Sequence, residues 1–99
     1  MNRRRHTLVW TMPAQEDLMS IVHFITKDNP HAARIFGKEI KDKVKRLIYF
    51  PLFGRIVPEF SISDLREIIV ADYRIIYRVL TRKGRVEVLS VVHGARDLQ

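Results

Sequence analysis

The sequence has no cysteine, few glycines and prolines, and no long apolar run in its 99 residues. Because cysteine is absent, neither a disulfide framework nor a thiolate metal site can form, which suits a reducing compartment. No apolar run approaches the roughly 20 residues that a membrane span needs. The run Leu8–Trp10 behind the basic start is too short for a signal peptide. We therefore expect a cytoplasmic protein that is neither secreted nor inserted into a membrane.

Positive charge predominates, with 18 lysines and arginines against 11 aspartates and glutamates and a net charge of +7. Such an excess is one mark of phosphate-binding proteins. Its location matters more: residues 1–5 carry +3 and residues 30–50 carry +4, whereas residues 6–29 carry −2 and residues 51–99 carry +2. The excess therefore lies in a terminal tail and one central segment. Charge alone therefore does not mark the second half of the chain as a phosphate-binding groove.

Apolar periodicity in the first half predicts one strand and two helices. Alternation over Thr7–Thr11 indicates the strand. A stripe at helical spacing then predicts a helix of about 13–27. Asn29 and Pro30 end this helix and begin the next, as N-cap and first-turn residue, and its apolar stripe reaches Leu47. With so short a connection, the two helices form an antiparallel hairpin.

The second half changes period and predicts three antiparallel strands. Behind an irregular connector over 52–63, three segments rich in isoleucine, valine and tyrosine are separated by short turns: 65–70, 73–80 and 85–92. The expected fold is α+β, of order β-α-α-β-β-β, with the helical hairpin packed on one face of a curved, mainly antiparallel four-stranded sheet. Residues 1–6 would form a basic tail and residues 7–99 a single domain.

Turn lengths decide which side chains share a face of this sheet. If Ala71-Asp72 is a two-residue turn, Arg74 lies opposite Ile69. A second two-residue turn at Lys83-Gly84 adds three pairs: Arg74 with His93, Ile76 with Val91, and Arg78 with Leu89. One face then carries the polar set Glu67, Arg74, Arg78 and His93. The other carries an apolar set suited to contact the helices: Ile68, Tyr73, Ile75, Tyr77, Val79 and Val88.

Two interpretations of the polar set remain open. It could form a metal-free site for phosphodiester cleavage, with Glu67 or His93 as general acid or base and Arg74 or Arg78 holding phosphate. It could instead be a cross-strand ladder of ion pairs that keeps an open sheet face solvated. The four histidines are scattered and no cysteine accompanies them, so we expect neither a metal ion nor another cofactor.

A second candidate surface is the row of cations on the second helix. It consists of Arg34, Lys38, Lys41 and Lys45. Such a row is ordinarily the solvated face of an amphipathic helix, and the alternative is a binding surface for an acidic partner. A domain of this size buries only about 60–65% of its unfolded surface, so a partner would add useful buried area.

Several segments in order resemble the RelE/ParE superfamily of toxins from bacterial type II toxin–antitoxin pairs. The similarity covers nearly the whole chain. It is strongest in three segments: Leu65-Arg66-Glu67, Tyr73-Arg74-Ile75-Ile76-Tyr77-Arg78-Val79 and His93-Gly94-Ala95-Arg96. The resemblance implies the β-α-α-β-β-β order given above. It also implies a cognate acidic antitoxin, for which the row of cations on the second helix is the candidate contact.

The superfamily divides into ribosome-dependent mRNA endonucleases of the RelE kind and ParE-like inhibitors of DNA gyrase. Arg74 and Arg96 match arginines of the nucleases, and Glu67 with His93 resembles the acid–base pair of another nuclease branch. However, residues 61–64 lack the lysines of the nucleases, and no catalytic tyrosine follows His93. The resemblance therefore favours a ParE-like toxin that poisons gyrase by binding, without catalysis. The alternative is a metal-independent endoribonuclease acting on ribosome-bound mRNA.

Overall fold

Residues 5–98, which the computed structural model describes, fold as two helices against one five-stranded sheet. Four residues of the predicted tail, 1–4, lie outside the described residues. The helices and strands are β1 (Thr7–Trp10), α1 (Met12–Asp28), α2 (Pro30–Lys45), β2 (Arg55–Ile56), β3 (Leu65–Val70), β4 (Tyr73–Leu80) and β5 (Arg85–His93). No helix within residues 5–98 is both long and apolar enough to cross a membrane.

Side-chain caps set the ends of the helical hairpin. The Thr11 hydroxyl accepts a hydrogen bond from the Ala14 N–H at the start of α1 (3.3 Å). Asn29 caps the end of α1 and the start of α2. Its own N–H donates to the Ile25 carbonyl, and its side-chain oxygen accepts from the Ala32 N–H (3.0 Å). The predicted helix boundary at Asn29 is thereby confirmed. A 3-10 turn over Arg46–Ile48 follows α2 and keeps Leu47 buried.

The sheet order is β1-β5-β4-β3-β2, with β1 parallel to β5 and every other pair antiparallel. The α+β order and the hairpin on one face are confirmed. The expected four strands become five because Arg55 and Ile56, in the predicted connector, pair with Glu67 and Arg66. A strand of two residues shows no measurable alternation, so the sequence pattern could not reveal it.

The core lies between the helices and one face of the sheet. The predicted apolar face is confirmed, since its members are all packed into or against the core. They meet the buried stripe of α2, formed by Ala33, Phe36, Ile40 and Val44. This packing leaves the other face of the sheet free of helices.

The predicted register of β5 is wrong in two respects. A four-residue link over 81–84, ending in Gly84 with φ 60°, replaces the two-residue turn, and Arg78 lies opposite Glu87. A β-bulge then follows, so that Tyr77 pairs with Val88 but Ile76 with Ser90. A register shift of two positions leaves each side chain of β5 on its predicted face of the sheet. The one extra residue in the bulge moves the side chains that follow it to the opposite face.

Beyond the bulge, the side chains of β5 therefore point to the faces opposite those predicted. Val91 lies opposite Ile75 and belongs to the core, and His93 lies opposite Tyr73. Arg74 pairs with Val92 instead of His93. His93 is consequently on the helix side of the sheet, and Arg74 is on the other side.

Candidate functional site

A groove of about 740 Å³ runs between α1 and α2. Its α1 wall is mainly apolar, with Leu18 and Val22 half-buried and Met19 71% exposed, and it also includes the exposed polar side chains His23 and Thr26. The α2 wall carries the four predicted cations: Arg34, Lys38, Lys41 and Lys45. Because these positions follow one another at helical spacing, their flexible side chains border a single apolar surface. We call this surface the hairpin groove.

A second hollow of about 450 Å³ extends the hairpin groove toward β1. It adds Leu8 and Trp10 from the inner face of that strand and shares Lys41 and Lys45 with the main groove. Gly37 lies in the groove, and a Cβ added there would meet no atom within 4 Å among the described residues. The combined surface is therefore long, apolar along its base and open enough to accept side chains of a partner.

The charge of the hairpin groove is only partly balanced. Lys38 forms an exposed i,i+4 ion pair with Asp42 (3.1 Å). Across residues 5–98, no ion pair is found for Arg34, Lys41 or Lys45. Exposed lysines and arginines of this kind attract acidic partners over about a Debye length, roughly 10 Å at moderate salt.

A second cluster surrounds Arg74 on the sheet face that carries no helix. The Arg74 side chain is 4% exposed. Its Nη1 and Nη2 donate to the two carboxylate oxygens of Glu59 (2.7 and 2.6 Å), and its Nε donates to Glu67 (2.8 Å). Nη1 also donates to the Arg96 carbonyl (2.9 Å), and Nη2 lies 2.6 Å from the Glu67 carboxylate. The number of these contacts, five, equals the number of N–H donors in a guanidinium group.

The chain itself covers this cluster from two sides. Glu59 belongs to the connector before β3, and its carboxylate also accepts the Leu98 N–H (3.2 Å). Glu67 is buried and accepts a second hydrogen bond from Arg55. Two arginines and two glutamates thus balance one another and tie the connector and the C-terminal segment to β4.

The pairing shifts two pKa values. Hydrogen bonds from Arg74 hold the pKa of Glu59 at about 2 against an ordinary value of 4.5, with burial opposing the shift. The hydrogen bonds to Glu59, followed by those to Glu67, raise the pKa of Arg74 above its ordinary value. Both shifts favour the charged forms, as expected when opposite charges are hydrogen bonded.

Comparison with known proteins identifies the family. The family model described as ParE toxin of type II toxin-antitoxin system, parDE, matches residues 8–98. The chain belongs to the ParE toxin family. It is accordingly a toxin of the type II toxin–antitoxin class within the wider RelE/ParE superfamily, as the sequence resemblance predicts. No curated protein sequence gives a significant match.

Solved structures share the fold of this ParE-family chain. A structure of the chromosomal ParDE system from P. aeruginosa superposes with a TM-score of 0.71 at 22% identity, covering 91% of this chain and 97% of the other. The RelBE2 toxin–antitoxin complex from Mycobacterium tuberculosis gives 0.62 at 23% identity, covering 90% and 98%. A free mutant of the E. coli toxin RelE gives 0.68 at 17% identity, covering 92% and 85%.

The predicted polar set of this ParE-family chain is divided by the structure. Glu67 and Arg74 are in direct contact, and Arg96 joins them through its backbone carbonyl. Arg78 is exposed on the same face of β4. His93 lies on the other face, where its ring meets the Tyr73 ring edge-on (5.7 Å between centroids) and its Nδ1 accepts the Ala95 N–H. Of the two interpretations that the sequence leaves open, the exposed ladder of ion pairs does not form, because Glu67 and Arg74 belong to a buried network.

Sequence reasoning missed Glu59 and Arg55, which complete this network. Both lie in the connector, where apolar periodicity gives no register. The one available signal was charge: an arginine in the middle of an apolar strand needs a buried anion, and Glu67 alone leaves part of its guanidinium unpaired.

Among residues 5–98, no three histidine, aspartate or glutamate side chains are grouped to hold a metal ion.

Proposed function

We propose that this ParE-family toxin arrests growth by binding DNA gyrase in the cytoplasm and poisoning it, without catalysing a reaction itself. The observation that carries the proposal is the closed Arg74 cluster. An arginine that holds a scissile phosphate must offer free N–H groups to it. In this chain, carboxylates and one carbonyl already engage the Arg74 guanidinium, and the side chain is buried.

The position of His93 supports the same proposal. A general acid or base must lie within hydrogen-bond reach of the reacting group, directly or through one water. His93 is on the opposite side of the sheet from Arg74 and Glu67, and packs against Tyr73. Glu67 is buried and engaged by two arginines, so it too is poorly placed to exchange protons with a substrate. The separation of His93 from Arg74 and Glu67 therefore supports a toxin that acts by binding.

We further propose that the hairpin groove binds an acidic segment of a cognate antitoxin. Three features support this assignment: the apolar base of the groove, the three cations that form no ion pair within residues 5–98, and membership of a toxin–antitoxin family. A segment that folds on contact would lay an apolar stripe along the α1 wall and direct carboxylates to the α2 wall. Structures of related toxins include complexes with antitoxins, such as the RelBE complex of E. coli.

The target can be tested with the purified 99-residue chain. We expect it to inhibit supercoiling of relaxed plasmid by gyrase and to increase gyrase-dependent plasmid breaks, while translated mRNA stays intact. An equimolar amount of the protein encoded beside the toxin gene should reverse both effects. Cleavage of ribosome-bound mRNA together with normal supercoiling would instead establish the endoribonuclease alternative.

A further inference from the structure

The edge strand β2 covers only part of β3. Its two residues pair with Glu67 and Arg66, and Val57 N–H donates to the Leu65 carbonyl (3.1 Å). Backbone groups of alternate residues point to the same edge of a strand. Ile69 therefore directs its N–H and C=O to this edge, where no backbone group of residues 5–98 pairs with them. Its side chain is 46% exposed.

A hollow of about 390 Å³ lies beside this uncovered edge. Phe53, which is 69% exposed, and Ile69 provide apolar contacts, while Lys43, Arg46 and Arg55 contribute positive charge. None of these five residues lines the hairpin groove. We call this surface the β3 edge site.

Existing ion pairs leave a net positive charge at the β3 edge site. Lys43 makes a partly exposed pair with Glu39 (3.4 Å), and Arg55 contacts Glu67 through Nε while its side chain remains 63% exposed. Glu67 is in turn balanced by Arg74. Arg46 is exposed, and no ion pair involves it in residues 5–98.

We propose that the β3 edge site binds an extended, acidic segment of another protein as an added antiparallel strand. An unpaired strand edge with apolar side chains next to it favours main-chain pairing with a peptide. The cations at the site select carboxylates on that peptide. They disfavour a second copy of this chain, which would bring the same positive charges to the contact. A nucleic acid would satisfy the cations but would leave the strand edge without a backbone partner.

This proposal can be tested on the purified 99-residue chain with a defined probe. The probe is a fluorescent, capped six-residue peptide of alternating glutamate and valine, and binding is followed by anisotropy. Arg46→Glu should weaken binding by about threefold to tenfold, the range for loss of a partly exposed charge pair and its replacement by repulsion. Arg82→Glu makes the same charge change at an exposed position outside the site, and should alter binding less than about twofold.

A backbone-methylated form of the same peptide separates strand pairing from charge attraction. Methyl groups on the amides that face β3 should weaken binding by about tenfold, because they remove the main-chain hydrogen bonds and add a clash. Equal binding of the methylated peptide, or equal loss in both charge variants, would overturn the proposal. So would tighter binding of a thymidine oligonucleotide with the same dependence on Arg46, or self-association of the chain that Arg46→Glu abolishes.

Discussion

Arg74 and Glu59 meet through two parallel N–H···O hydrogen bonds of 2.6 and 2.7 Å. This bidentate pair joins the middle of the sheet to the connector that precedes β3. It also directs the guanidinium away from solvent, so the arginine that the sequence offers as a phosphate ligand acts as a structural clamp. While this pair stays closed, the Arg74 guanidinium has no free N–H group to offer a phosphate.

Replacing Glu59 should make the stability of the fold less dependent on pH. The folded-state pKa of Glu59, about 2, lies below its ordinary value of 4.5, so its contribution is present above about pH 4.5 and is lost as the pH falls toward 2. Glu59→Gln should therefore lower the urea midpoint at pH 7 and narrow the difference between pH 7 and pH 3. Glu39→Gln removes a partly exposed helix pair with Lys43 and is the matched control. A Glu59→Gln profile parallel to that of the unmodified chain would contradict the assignment.

The Tyr77 hydroxyl should stabilise the connector. It donates to the Pro51 carbonyl (2.8 Å) and accepts the Gly54 N–H (2.9 Å), and burial raises its pKa. Tyr77→Phe leaves both backbone groups without this partner and should cost about 1–3 kcal/mol in the free energy of unfolding. Tyr49→Phe, at an exposed ring, should change that free energy by less than about 0.5 kcal/mol. Equal effects in denaturant titrations would refute this role.

Gly37 offers a way to separate stability from partner binding. Because an added Cβ meets no atom within 4 Å, Gly37→Ala should stabilise the middle of α2 by about 0.5–1 kcal/mol. Gly37→Trp should leave the chain folded but fill the hairpin groove, and should weaken antitoxin binding by at least about tenfold. Calorimetric titration with the antitoxin measures this loss, and circular dichroism checks the fold. Undiminished affinity of Gly37→Trp would place the antitoxin elsewhere.

Charge reversal in the hairpin groove should slow association with the antitoxin. Lys41 borders both hollows of the groove and is exposed. Lys41→Glu should reduce the association rate about threefold to tenfold and flatten its salt dependence, since rim charges act mainly on encounter. Lys83→Glu makes the same change of net charge in the 3-10 turn before β5, away from the groove. Stopped-flow measurements that show the same change in both variants would indicate a general charge effect only.

Much of the fold can be predicted from local chemistry. Asn29 followed by Pro30 marks the helix boundary because an N-cap and a first-turn proline are local signals, and the alternation of β4 identifies its apolar face. The bulge in β5 could not be predicted in this way. It depends on how β5 meets β4 and α1, where the Asp17 carboxylate accepts the Val91 N–H (2.9 Å). That single extra residue moves His93 to the other face of the sheet.

The two candidate sites also differ in how far they can be predicted from the sequence. The cations of α2 share a groove because helical spacing alone places them there. The Arg74 cluster depends on Glu59, 15 positions away in a connector without periodicity, and on the backbone of Arg96. Long-range pairing of this kind leaves no local pattern. The sequence therefore predicted the row of cations on α2. It did not predict that residues from three separate segments would bury Arg74.

Induction of the toxin in growing bacterial cells, with the DNA-damage response and mRNA cleavage recorded in the same culture, tests the central claim most directly. We expect growth arrest with a strong DNA-damage response and intact mRNA, for both the unmodified chain and His93→Ala. The variant loses one edge-on ring contact, worth about 0.5–1.5 kcal/mol, and one exposed hydrogen bond from the Ala95 N–H, and it should remain folded. Codon-phased mRNA cleavage that disappears in His93→Ala, without a DNA-damage response, would contradict the account.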